Sequence, residues 1–163
     1  VPGALARARN LLAPGGTVVA VEPARDWLRP VDAAVAVLVR RLLAASGAWY
    51  EPLPLPTTAG AFQDQVDECL AEYREARDRG EGLQSPHDNS ATGDEMLAAL
   101  RHAFAEAAFE RGFALFYRLA AGVRLATEDE AERVARFLHV FDTFGVERGL
   151  LHPSEFLWAG RGR

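Results

Sequence analysis

Lysine is missing altogether: every one of the 18 basic residues is arginine. The arginines are scattered rather than striped and the net charge is -5, so there is no electrostatic footprint for a phosphate backbone and nucleic acid is not an expected partner. Cysteine occurs once, at Cys69. A single thiol makes neither an internal disulfide nor a cysteine-based zinc site, which fits a reducing compartment. There is no apolar run of about 18 residues to span a bilayer, and no basic, apolar, small-residue leader opens the sequence. The expectation is a cytoplasmic protein with no membrane partner. His102 and His139 fall in separate helical segments and His152 precedes Pro153. No histidine pair has the i, i+4 spacing of a helical metal site, so no metal is expected.

What is present is ordinary globular material. Hydrophobic residues make up 49% of the 163 positions and charged residues 25%, which excludes disorder as a class and suits one domain, 1–163. Residues 2–13 carry Pro2 at a first helical position and Leu5, Ala8, Leu11 and Leu12 at helical spacing, and read as a helix. Pro14-Gly15-Gly16 stops it, and the β-branched run from Thr17 to Val21 reads as a strand buried on both faces. Further helices are expected over 31–45, with Val35, Leu38, Val39, Leu42 and Leu43 as the inward stripe and Asp32 as cap, and over 59–79, with Phe62, Val66, Cys69, Leu70 and Tyr73. Between them, the alternating Pro52, Pro54 and Pro56 read as an extended connection. The turn-forming stretch 80–93 reads as a loop. A helix capped by Thr92 or Asp94 is expected to about Ala107, turning Met96, Leu97, Leu100 and Phe104 inward. Phe113 to Leu119 reads as the second strand. Thr127 and its acidic followers open a helix that carries Val134, Phe137, Leu138 and Phe141, and Ser154 to Ala159 reads as the third strand.

Leu11-Leu12-Ala13-Pro14-Gly15-Gly16-Thr17-Val18-Val19-Ala20-Val21-Glu22, the Gly112-Phe113 strand after its helix, and the closing Phe156-Leu157-Trp158-Ala159-Gly160-Arg161 together resemble the C-terminal half of class I S-adenosylmethionine-dependent methyltransferases. The resemblance implies an α/β fold in which strands at about 17–22, 113–120 and 154–160 stand as the fifth, sixth and seventh of a Rossmann-like sheet, the seventh antiparallel between the other two. It also implies a helical lid or substrate-side insertion over 47–93 and a small-molecule methyl acceptor. S-adenosylmethionine is the cofactor of the full-length family. The glycine-rich turn of the first strand and the acidic end of the second, which hold that cofactor in doubly wound folds, have no counterpart here. This sequence therefore offers no cofactor-binding residue, and the chain by itself is expected to be inactive. The missing N-terminal half, or a homodimer partner, is expected to cover the open edge of the first strand.

Ligands of open α/β sheets bind beyond the carboxyl ends of the strands, which makes Glu22 a candidate for orienting substrate or accepting a proton; a solvated strand end is the plain alternative. His87 with Asp88 is the candidate acid/base pair, because histidine titrates near neutrality beside a carboxylate; an exposed turn is the competing reading. Trp49, Tyr50, Phe62 and Tyr73 are candidates for an aromatic acceptor pocket, although such residues at helical spacing are commonly core. Methyl transfer from a sulfonium needs in-line positioning and exclusion of water more than a catalytic triad. A reading of another class is a noncatalytic α/β module that binds a ligand or a partner.

Overall fold

The computed structural model describes residues 2–78 and 91–162; the side chains of 73–78 are outside that description. Six α-helices and three strands are present among the described residues: α1 (Pro2–Leu11), β1 (Thr17–Pro23), α2 (Pro30–Ala45), α3 (Ala59–Asp78), α4 (Gly93–Ala103), β2 (Ala105–Arg111), α5 (Phe116–Ala120), α6 (Glu128–Glu147) and β3 (Glu155–Arg161), with a 3-10 turn at Arg25–Trp27. The fold is mixed α/β with a small antiparallel sheet in the order β1-β3-β2. Contacts divide the chain into two compact units, one of Val1–Trp27, Tyr73–Gly112 and Ser154–Arg163, the other of Leu28–Glu72 and Phe113–Pro153.

The first unit holds the sheet. β3 pairs with β1 from Thr17↔Arg161 to Pro23↔Glu155 and, along its other edge, with β2, where the register shifts between Glu106 and Ala108. The turn into β1 forms because Gly15 takes φ +75, a region closed to most L-residues. One face of the sheet is a core: Phe156 and Trp158 on β3 are fully buried with Phe104, Met96, Leu97 and Leu100, and Leu5 and Ala8 of α1 pack against them. Trp158 meets its polar need by donating from Nε1 to Glu106, which also accepts from Arg101 at 2.7 Å. The two hydrogen bonds hold the Glu106 carboxyl below the usual carboxylate range.

Three expectations are corrected here. The strand over 113–120 is absent: the strand is Ala105–Arg111, α4 stops at Ala103, and Phe116–Ala120 is helical. The reason is tertiary. Ala-Glu-Ala-Ala-Phe-Glu-Arg has little strand propensity, but β3 offers an unpaired edge and Phe109 packs on Phe156. The more apolar run beyond it places Leu115 and Leu119, four apart, in the core of the other unit. Second, β1 is not buried on both faces: Val18, Ala20 and Glu22 are half-buried, while Val19 and Val21 are 62% and 59% exposed. Leu157, the partner of Val21 on β3, is exposed beside them.

The third correction concerns the helical unit, α2, α3, α5 and α6. The buried residues of α2 are Asp32, Ala33, Ala36 and Val37, not the larger stripe; Leu38 and Leu42 lie on the exposed side. On α6, Leu138, Asp142 and Gly145 are buried and Phe137 is 67% exposed. Small residues allow close approach of backbones, and in both helices the inward face carries a carboxylate. Asp32 sits at the third position of α2 after Pro30, accepts from the backbone and guanidinium of Arg29, and takes the backbone N–H of His152 at 3.0 Å. Asp142 accepts the backbone N–H groups of Ala114 (2.9 Å) and Leu115, which lead into α5. Capping residues behave as expected at Thr92, whose side chain and that of Glu95 satisfy each other's backbone N–H, and at Thr127.

Asp142→Ala removes the carboxylate that accepts from two buried backbone N–H groups. The expected loss is roughly 2–4 kcal/mol of unfolding free energy, read from the urea midpoint with unchanged slope; a loss below about 0.5 kcal/mol contradicts the role given to this carboxylate.

Candidate functional site: a cavity in the helical unit

The extended connection after α2 does not run free. Trp49 forms a bridge with Val123, Tyr50 N donates to the Gly122 carbonyl at 3.0 Å, and Arg124 N donates to the Ala48 carbonyl at 2.9 Å. This clamps the chain after α2 to the chain after α5. The Trp49 ring then lies flat against Gly122, where any side chain would run into it. Between α2, α3, α5 and the clamped segment is a cavity of about 360 Å³.

Its walls have two characters. Val37, Leu53, Ala121 and the Trp49–Tyr50 pair, with ring centroids 5.3 Å apart, supply apolar surface. Arg40 and Arg41 from α2 and Arg118 from α5 supply guanidinium groups, all only partly exposed, whereas Glu51, Glu68 and Glu72 are exposed at the rim. Arg41 is oriented by its Nε, which donates to Gln65 Oε1 at 2.8 Å. Arg40 lies 5.8 Å from the centre of the Trp49 ring and 3.8 Å from Glu72. Two buried donors, Arg41 Nη1 and Trp49 Nε1, have no hydrogen-bond acceptor among the described residues. Cys69 also lines the cavity, and burial pushes its thiol up, so it stays protonated and unreactive at neutral pH. Tyr50 is exposed, and its hydrogen bond to Glu51 raises the phenol above its ordinary value.

Of the aromatic candidates, the structure brings Trp49 and Tyr50 together at the cavity. Phe62 is half-buried on α3 but is not among the lining residues. Tyr73 follows on the same helix, with its side chain outside the described residues. His87 and Asp88 also lie outside the described residues. Glu22 belongs to the sheet unit, paired with Phe156 across β1 and β3, and desolvation there raises its carboxyl above the ordinary value of 4.5. No group of three or more acidic, cysteine or histidine side chains that could hold a metal is present among the described residues. No described helix is long and apolar enough to cross a membrane.

No known family, characterised protein or solved structure matches this chain. The site therefore stands on its own chemistry. The arginines were not among the candidates read from the sequence, yet a signal was there: Ala36 and Val37 lie three and four residues after Ala33, and Arg40 lies four and three residues after them, so a guanidinium continues a stripe of small buried residues.

Two outcomes are expected. Gly122→Ala drives a methyl group into the Trp49 ring and costs roughly 1–3 kcal/mol of stability by denaturation; a neutral effect contradicts the packing described. Glu22→Gln tests the raised carboxyl. A group that holds its proton more tightly when folded stabilises the fold as pH falls from neutral through its folded value, and its charged form is the unfavourable one above it. The glutamine variant should therefore melt higher than the parent at pH 7, with the difference vanishing in acid. A lower melting temperature at pH 7 refutes this.

Proposed function

We propose that this chain is the substrate-recognising portion of an S-adenosylmethionine-dependent methyltransferase acting on a small molecule, with the cavity of the helical unit as the acceptor site. The observation that carries the reading is the strand order β1-β3-β2, with the last strand antiparallel between two strands that share a direction. That is the order implied for the fifth, seventh and sixth strands by the Pro14-Gly15-Gly16 resemblance, and it survives the shift of the middle element from 113–120 to Ala105–Arg111.

Three further features support it. The uncovered apolar side of the sheet at Val19, Val21 and Leu157 suits a layer supplied by an N-terminal half or by a second copy. A cavity near the lower end of the ~300–1,000 Å³ range of ligand sites suits a small acceptor rather than a polymer. The desolvated part of the cavity wall, where Trp49 and Cys69 are buried, suits methyl transfer, in which positioning and dryness do most of the work. In this reading S-adenosylmethionine is held by residues outside this sequence, and the chain alone transfers no methyl group. A second reading, a noncatalytic ligand-binding module, draws on one observation: the cavity is lined by the helical unit alone.

The deciding experiment is calorimetric titration of S-adenosylhomocysteine into the gene product that contains this sequence and, separately, into the 163-residue chain. Binding by the former at least ~10-fold tighter than by the latter is expected. A gene product that does not bind the nucleoside refutes the methyltransferase and leaves the ligand-binding module.

A further inference from the structure

The cavity combines apolar walls with two buried donors that have no acceptor among the described residues. An unmatched donor in a buried place costs free energy unless something accepts from it, and such groups in a native fold call for a reason. Arg41 Nη1 and Trp49 Nε1 are two such donors lining one cavity. Trp49 is 8% exposed and its ring packs against Gly122, so its N–H is kept from bulk water while that contact holds. Arg41 is likewise restrained by Gln65. Water satisfies an indole N–H, but a guanidinium in a partly desolvated wall gains most from an anion, through short charge-assisted hydrogen bonds.

The apolar part of the lining narrows the choice of anion. The charged part does not: Arg40, Arg41 and Arg118 attract an anion and the exposed Glu51, Glu68 and Glu72 repel it, each in proportion to its charge. The rest of the wall, Val37, Leu53 and Ala121 beside the Trp49–Tyr50 pair, offers nothing to a bare inorganic ion and much to a planar or branched hydrocarbon body.

We propose that this cavity binds a small organic monocarboxylate, its carboxylate received by Arg41 and the Trp49 N–H and its apolar body lying against Val37, Leu53 and Ala121. The proposal deepens the reading given above and rests on it only in naming that ligand the methyl acceptor; Arg41 and Trp49 are then binding and positioning residues.

The test is titration of the 163-residue chain, without cofactor, with 4-hydroxybenzoate and isovalerate, with the matching amides 4-hydroxybenzamide and isovaleramide, and with inorganic phosphate. At least one acid is expected to bind roughly 10-fold or more tightly than its amide, as loss of a hydrogen bond to a charged group implies. Arg41→Met should remove that preference while leaving amide affinity within about twofold. Arg41→Lys should restore part of it, because charge returns without the fork. Trp49→Phe, which keeps an aromatic ring against Gly122, should weaken the acid as well, with thermal melts establishing that each variant is folded. Equal affinity for acid and amide, tighter binding of phosphate, no binding of either acid, or a preference unchanged in folded Arg41→Met each overturns the proposal. The two readings fail separately. Acid binding by the chain, with no S-adenosylhomocysteine binding by the gene product, keeps the carboxylate site and removes the methyltransferase. Methyl transfer by the gene product to an amine or neutral acceptor, with no acid preference, does the reverse.

Discussion

Two carboxylates shut away from water, Asp32 and Asp142, set the walls of the cavity. Asp32 fixes the start of α2 by accepting from Arg29 and from the backbone of His152, and the same helix presents Arg40 and Arg41 two to three turns later. Asp142 reaches from α6 to the two N–H groups that precede α5, and α5 presents Arg118 and leads into Gly122. On α2 the buried neighbours of the carboxylate are the small Ala33 and Ala36, and on α6 they are Leu138 and Gly145. Here the polar bonds specify where each helix lies, and the small residues allow the close approach that makes those bonds short. A buried carboxylate whose lone pairs are met by several N–H donors avoids the cost that an unpaired charge would carry.

This explains why the sheet unit was more legible in the sequence than the helical one. On the helix-covered face of the sheet unit burial follows hydrophobicity, although Val19 and Val21 on the other face do not conform. The residues expected to turn inward from the fourth helix, Met96, Leu97, Leu100 and Phe104, are the core that forms, and the Pro14-Gly15-Gly16 turn and the Thr92 cap announce their own geometry. In the helical unit the same reasoning selected Leu38, Leu42 and Phe137, and the structure exposes all three. Size and apolarity are poor guides where a helix is docked by a carboxylate through its alanine side. The middle strand was missed for a related reason. Ala105–Arg111 is a strand because β3 needs a second partner, and no window of sequence around it carries that information. For the site, Trp49 and Tyr50 were legible as aromatics near a proline-rich segment; the arginines opposite them came from two helices distant in sequence and could be joined only by the fold.

The two units divide the chemistry between them. One is a three-stranded antiparallel sheet with a single covered face. The other is a helical body with its own cavity, closed by the bridge between Trp49 and Val123 and lined by guanidinium and aromatic groups. The cavity is lined by residues of the helical unit alone.

The central position of β3 has a consequence for how the protein is made. β1 and β2 are both synthesised before β3, and neither pairs with the other; among the described residues each finds its strand partner in Glu155–Arg161. During translation the first strand leaves the ribosome with Val19 and Val21 exposed on one face and its edge unpaired, and it stays so until everything up to β3 has emerged. Local helices form early and the sheet forms late, because its pairings span nearly the whole sequence. The helical unit, by contrast, is complete in sequence before β3 begins, so all of its residues have emerged while the sheet still lacks its central strand.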